Sequence, residues 1–251
     1  METPPRIGSV EIAFEIVEHL VDRGPSGVTE TARALDRPKS TVHDYLQSLA
    51  AREWVVNDGG TYRPSMRFFA AGERTRGRLP VYEAAGEPLR ALAESVDLHV
   101  SLAIEEHGRV VLVDTIPGED PVSLATHGGI RMAMHTTSPG KAILAHLPDA
   151  QVDDVVDRHG LRAMTDRTIT DRDRLEAELR EIRENGYATD DEERLVGLRT
   201  VAAPVIDRDG IVHGAVTVYG PKRRLSADQF DDRLPRRLRE TANVVEMNLN
   251  Y

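Results

Sequence analysis

The chain has 251 residues, with 42 Asp and Glu against 32 Lys and Arg, a net charge of −10 and no cysteine. That length accommodates about two domains, and the lack of cysteine excludes disulfides, thiolate zinc sites and a cysteine nucleophile. No apolar run approaches the roughly 20 residues of a membrane span, and METPPRIGSVEIAFEIVEHL meets acidic residues too early for a secretory signal, so a cytoplasmic location is expected.

The charge is unevenly placed. Residues 1–78 hold 11 basic and 11 acidic side chains, whereas residues 79–251 hold 21 and 31. The amino-terminal part therefore meets a polyanion at the smaller electrostatic penalty. Only Lys39, Lys141 and Lys222 are lysine. This Lys-poor, acid-rich composition is halophile-like, and a GC-rich genome favouring Arg codons accounts for the same bias.

In chain order, Ser9 is expected to open a helix with Val10, Ala13, Phe14, Val17, Leu20 and Val21 at helical period, ended by Gly24-Pro25-Ser26-Gly27. Val28 to Leu49 then reads as two short helices joined by a tight turn. Thr29 is placed to cap the first, whose apolar edge is Val28, Ala32 and Leu35. Asp36-Arg37 breaks the pattern, and Pro38 restarts it at the first helical position, where its missing N–H costs nothing. In the second helix Val42, Leu46 and Leu49 form one apolar stripe. The opposite face carries Lys39, Ser40, Thr41, His43, Asp44 and Gln47, the residue types that reach base edges from a recognition helix. On spacing alone, a helical hairpin with its polar face in water accounts for the pattern equally well.

Trp54 to Asn57, Asp58-Gly59-Gly60 and Thr61 to Arg63 follow as strand, glycine turn and strand. Three helices and a hairpin predict a winged helix-turn-helix over residues 6–64. Arg63 on the returning strand is placed to meet phosphate or the minor groove, or simply to be solvated. MRFFAAGERTRGR predicts a linker helix over residues 65–79, with Met66, Phe69 and Ala70 as its apolar side and Arg74, Arg76 and Arg78 at its basic end.

Residues 80–251 change character. A helix from Val81 to Ser95, bent near Pro88, leads into LHVSLAIEE and RVVLVDTI, two β-branched runs joined at His107-Gly108. Ser138-Pro139-Gly140-Lys141 opens a helix expected to present a free amino end. Further helices are expected at Ala150 to His159 and Asp171 to Asn185, the latter ended by Gly186. TVAAPVID and IVHGAVTVYG flank the turn Asp207-Arg208-Asp209-Gly210, and Ser226 and Gln229 have capping-box spacing at the last helix. The pattern predicts an α+β domain with helices on one side of the sheet.

Four segments, PKSTVHDYLQSL, GTYRPSMRFFAAG, SPGKAILAHL and ENGYATDDEERLVGLRTVAAPVIDRDGIVHGAVTVYGP, together resemble the IclR family of transcriptional regulators from roughly Ile7 to Pro221. The resemblance implies an amino-terminal winged helix that binds double-stranded operator DNA as a homodimer or tetramer. It also implies a carboxy-terminal, GAF-like domain that binds a small organic effector. The effector positions it implies are Met132, Ser138 and Pro139, then Asp190, then Thr200, Thr217 and Tyr219. Backbone N–H groups at Ser138 to Gly140 would receive a carboxylate, and Asp190 would accept a hydroxyl, so a hydroxy-, keto- or sugar acid is the expected ligand.

The chain departs from the family pattern at Asp36 and Arg37, where a hydrophobic residue and glycine are usual. It departs again at Asp44, where a base is common, at Thr200, where cysteine is frequent, and at Tyr219, where a smaller hydroxyl residue is common. A rival reading is an enzyme on the sensor-like domain, with the winged helix used for protein contacts. Ser138, His135 and Asp190 are the residue types of a nucleophilic triad. No G-x-S-x-G elbow or H-E-x-x-H motif accompanies them. No catalytic residue, metal site or cofactor is therefore expected.

Overall fold

The structure, a computed structural model, describes residues 7–118 and 127–250; the expected domain limits at positions 6 and 251 lie outside them. The chain divides into two compact units, Met1–Arg76 and Gly77–Tyr251.

In the first unit, α1 (Gly8–Arg23), α2 (Val28–Ala34) and α3 (Lys39–Ala51) enclose a core of Ile16, Leu20, Ala32, Val42, Leu46, Val55 and Tyr62. A small antiparallel sheet joins them, with β1 (Ser26–Gly27), β3 (Thr61–Pro64) and β2 (Val55–Asp58) in that spatial order. Its wing turns at Gly59-Gly60, both at positive φ, and the Gly60 N–H donates to Asn57 Oδ1 at 2.9 Å. Asp36 adopts φ +50° between α2 and α3, so this turn keeps left-handed geometry without glycine.

Several local expectations are corrected. Gly27, not Thr29, is the N-cap of α2, and Thr31 Oγ1 donates back to Gly27 O at 3.1 Å. Pro38 is the N-cap of α3 rather than its first helical residue, and α1 starts at Gly8 with Ile7 before it. The α1 stripe is rotated as well. Ile12, Ile16 and Leu20 form the inward seam, while Val10, Phe14 and Val21 are exposed. The helix is apolar on two sides, so periodicity alone does not choose the face. In α4 (Arg67–Arg76), Phe68 meets the Trp54 ring at 4.7 Å and Arg67 lies over it at 4.9 Å, whereas Met66 and Phe69 are exposed.

The second unit begins with α5 (Pro80–Ser95), which contains Pro88, and is built on a six-stranded antiparallel sheet. The strands are β4 (His99–Glu106), β5 (Arg109–Ile116), β6 (Arg131–Ala133), β7 (Ala188–Asp191), β8 (Leu198–Ile206) and β9 (Val212–Pro221). Their order is β6-β5-β4-β9-β8-β7. One face packs on α5 and α9 (Leu234–Leu249) through Val100, Leu102, Val201, Val216 and Val218. The other packs under α6 (Ser138–Leu144), α7 (Asp149–His159) and α8 (Arg172–Asn185). Helices thus cover both faces, correcting the one-sided expectation. Strands buried on both sides read as continuous apolar runs rather than alternating ones, which is how β4 and β8 read. Ser226 and Gln229 form the anticipated capping box, with Gln229 Oε1 accepting from Ser226 N at 3.2 Å.

Residues Ser138 to Ala145 are all buried, and the one-turn 3₁₀ segment Met134–Thr136 crosses directly over Gly140. A Cβ at Gly140 would lie 2.6 Å from the Met134 Cα. Gly140→Ala is expected to cost about 3 kcal/mol or more through backbone overpacking, read as a lower urea midpoint. An unchanged midpoint would show that the 3₁₀ segment yields freely.

Candidate functional sites

On the first unit the polar face of α3 is open: Lys39, Ser40, His43, Asp44 and Gln47 are exposed, and Thr41 is half-buried. His43 Nδ1 lies 3.4 Å from Asp44 Oδ1. Gln47 Nε2 donates to Tyr62 Oη at 3.1 Å, and Asn57 Nδ2 donates to the same oxygen at 3.3 Å. The wing thereby fixes the position of Gln47 on α3. One amide hydrogen is used, and the carbonyl oxygen and second hydrogen remain available, the donor–acceptor pair that matches an adenine edge. Arg63 is exposed on β3, with a 3.5 Å contact to the Pro64 carbonyl, and Arg37 pairs with Glu15 at 3.0 Å.

On the second unit, the strand period places hydroxyl residues on the face under α6. Thr200 pairs with Tyr219 across β8 and β9, and Ala202 with Thr217. A cavity opens there, lined by Leu112, Met132, Thr137, Pro139, Asp190, Arg194, Leu198, Thr200, Thr217 and Tyr219. Of the anticipated positions only Ser138 is not in its wall. Ser138 stands behind it, with its Oγ 2.6 Å from Thr200 Oγ1. Leu112, Thr137, Leu198 and Arg194 were not anticipated.

Asp190 is fully buried. Its Oδ1 accepts the Glu193 N–H at 2.6 Å and the Arg194 N–H at 3.4 Å, and Thr200 Oγ1 stands 3.5 Å from Oδ2. Burial first, and then the neighbouring Glu193 carboxylate, push its pKa up to about 7. Tyr219 stacks on His99 with centroids 5.1 Å apart, and neither buried His99 ring nitrogen has a hydrogen-bond partner among the described residues.

The amino end of α6 is not free. Thr137 Oγ1 caps it by accepting the Gly140 N–H at 3.1 Å, and Pro139 has no N–H to offer. Lys141, one turn on, is the largest fully buried side chain; its Nζ donates to Glu178 Oε1 of α8 and Glu193 Oε1 of the β7–β8 loop, each at 2.6 Å. Burial raises the Glu193 pKa despite this pairing.

The residue types of a triad do not assemble. His135 Nε2 faces Arg162 O at 3.1 Å and Ser138 faces Thr200, and no hydrogen bond links the three side chains. Among the described residues, no three His, Asp or Glu side chains are grouped to hold a metal ion, and no helix is long and apolar enough to cross a membrane.

A winged helix with an open polar recognition face, on the same chain as a sheet domain enclosing a small, mainly apolar cavity with a carboxyl and hydroxyls set in its wall, defines a ligand-sensing class of transcriptional regulator. Residues 9–59 match the IclR helix-turn-helix domain, and residues 74–247 match the bacterial transcriptional regulator IclR C-terminal domain. The chain belongs to the IclR family and is a transcriptional regulator with an effector-binding domain. It is 31% identical over 250 residues to a probable HTH-type transcriptional regulator ArcR of Halobacterium salinarum, covering 98% of this chain and 95% of the relative. It is 26% identical to the HTH-type transcriptional regulator KdgR of Escherichia coli, covering 99% and 95%. The fold is similar to the crystal structure of the Thermotoga maritima IclR, with a TM-score of 0.81 at 25% identity over 98% of this chain and 100% of that one.

Two outcomes follow from the buried charges. Lys141→Met leaves Glu178 and Glu193 facing each other without their cation, and a loss of about 3–5 kcal/mol is expected; a calorimetric loss near zero would refute the pairing. For Asp190, the raised native pKa means that the unfolded chain releases its proton first. Stability is therefore lost as pH rises from about 4, the ordinary Asp value, to about 7, and the loss is constant above that. Asp190→Asn should melt increasingly above wild type across that window and in parallel with it at higher pH.

Proposed function

We propose that this regulator binds operator DNA through the α3 face, with Lys39, Ser40, Thr41, His43, Asp44, Gln47 and Arg63 as contacts. A small hydroxy-, keto- or sugar acid, held in the Asp190 cavity, sets its affinity for DNA. The observation that carries this reading is the convergence of Met132, Pro139, Asp190, Thr200, Thr217 and Tyr219 on one cavity of the effector-binding domain. These residues come from four separate stretches of chain, and together they give an apolar wall, a carboxyl acceptor and several hydroxyls, the make-up of a small-molecule site. Ser138 orders Thr200 from behind.

An effector acts by binding one state of a homodimer or tetramer more tightly than another, so that the spacing of two recognition helices matches or misses the operator half-sites. Asp44 disfavours phosphate and suits a cytosine amino group, so the operator is expected to differ from those read by a basic residue at that position.

The test is a binding titration of the full chain against the intergenic DNA beside its own gene, in potassium chloride, with and without a panel of hydroxy-, keto- and sugar acids. Specific binding altered by one of these acids supports the reading; specific binding that none of them moves removes the acid from it. In the same assay Gln47→Ala should weaken operator binding by roughly 1–3 kcal/mol and leave random DNA unaffected. Equal losses on both would show that Gln47 reads no base.

A further inference from the structure

Among the described residues, most cations around the β7–β8 loop are paired with acids. Arg199 Nε holds Asp191 Oδ1 at 3.0 Å, and Lys222 spans Asp191 at 2.8 Å and Glu192 at 2.5 Å. Arg167 meets Asp191 at 3.1 Å, and Lys141 is taken by Glu178 and Glu193. Arg194 is different. Its backbone N–H reaches Asp190, but its guanidinium makes no hydrogen bond or ion pair with a described residue. It is half-buried in the cavity wall, feeling the charge of Asp190, and desolvation lowers its pKa. Half-buried and without an acceptor among the described residues, it is free to receive one, and its planar fork matches a carboxylate.

Several donors at the α6 end are engaged elsewhere. The Gly140 N–H is bonded to Thr137, Pro139 has none, and the Ser138 hydroxyl is paired with Thr200. The helix α6 end therefore offers little to a carboxylate. Asp190 is its natural complement rather than its competitor, since near neutral pH it is readily protonated and can then donate to an oxo group or accept from a hydroxyl. The cavity is small, about 30 Å³, with Tyr219 in its wall.

We propose that Arg194 is the specificity-determining residue of the cavity, pairing bidentately with the effector's carboxylate while Asp190 holds the adjacent hydroxyl or oxo group. This rests on the effector reading given above and adds to it the residue that makes the ligand an anion.

The test is calorimetric titration of the full-length wild type, R194Q and R194K with hydroxy-, keto- and sugar acids, each beside its neutral amide. Wild type is expected to prefer the acid of the matching pair by about 10- to 150-fold, the range of a charged hydrogen-bond pair. R194Q should bind that acid and its amide within about threefold of each other, and R194K should keep part of the preference. Because the guanidinium has no partner among the described residues, the melting temperature of R194Q should match wild type, which separates a binding effect from unfolding. Full acid preference in R194Q, or equal binding of acid and amide by wild type, overturns the role of Arg194 and leaves a cavity ligand standing. No binding of any acid or amide to wild type overturns the effector reading and this inference together.

Discussion

The second unit depends on where the Lys141 ammonium can go. Removing an ammonium from water costs several kcal/mol unless anions replace the hydration shell, and this one is fully buried. Its two carboxylates come from α8 and from the loop after β7, so one charge fixes α6 against a helix and a loop that are distant in sequence. The same loop carries Asp190 and Arg194. Glu193 is drawn inward to satisfy Lys141, and its backbone N–H and carboxylate then both bear on Asp190, the first by a 2.6 Å hydrogen bond and the second by repulsion. The raised proton affinity of Asp190 thus comes first from its burial and then from the Glu193 carboxylate that the lysine draws in, with the Glu193 N–H and the lysine charge acting against it. Gly140 completes the arrangement, since α6 can lie this deep only where its backbone passes Met134 without a side chain.

The cavity's chemistry follows from strand alternation. On β8 and β9, Val201, Ala203, Val216 and Val218 point to the α5–α9 core, which leaves Thr200, Ala202, Thr217 and Tyr219 for the other face. The hydroxyls there are held by neighbours: Thr217 Oγ1 donates to Val201 O at 3.0 Å, and Ser101 and Thr115 pair at 2.9 Å beside Tyr219. Buried hydroxyls that already have partners form a rigid polar lining. His99, behind Tyr219, is the opposite case, because burial lowers its pKa and neither ring nitrogen has a partner among the described residues.

The legible parts of the sequence were those where one residue type has one local use. Gly59-Gly60 marked the wing turn, Gly186 ended α8 in left-handed geometry, and Ser226 with Gln229 formed the capping box ahead of the last helix. The apolar face of α3 was legible because only one side of that helix is apolar. The choice failed on α1, where Phe14 and Ile16 both lie on apolar sides and only the neighbouring elements decide which is buried. It failed on α6 for a related reason: Thr137 precedes the SPGK motif and was not recognised as its cap, so the helix end looked free. Most of the cavity's wall was reached through family resemblance. Arg194 was missed because an arginine four residues beyond an aspartate in an acidic loop reads as one more surface ion pair, and only the structure shows that its neighbours have other partners.

The two titratable groups of the cavity then have linked roles. With no anion between them, Arg194 favours the ionised form of Asp190, while burial and Glu193 oppose it more strongly. On the proposed reading, an effector carboxylate at Arg194 cancels that favourable charge and adds a repulsive one, so binding raises the proton affinity of Asp190 further. Proton uptake would accompany effector binding between about pH 7, the pKa of the free site, and the higher pKa of the bound site, and would fade on either side. By linkage, affinity for the acid would then weaken as pH rises through the Asp190 pKa, in the opposite sense to any gain from ionising the ligand itself, which is complete several units lower. A neutral ligand would not disturb this balance through Arg194, so on the same reading the protonation of Asp190 would itself help the site to distinguish an acid from its uncharged analogue.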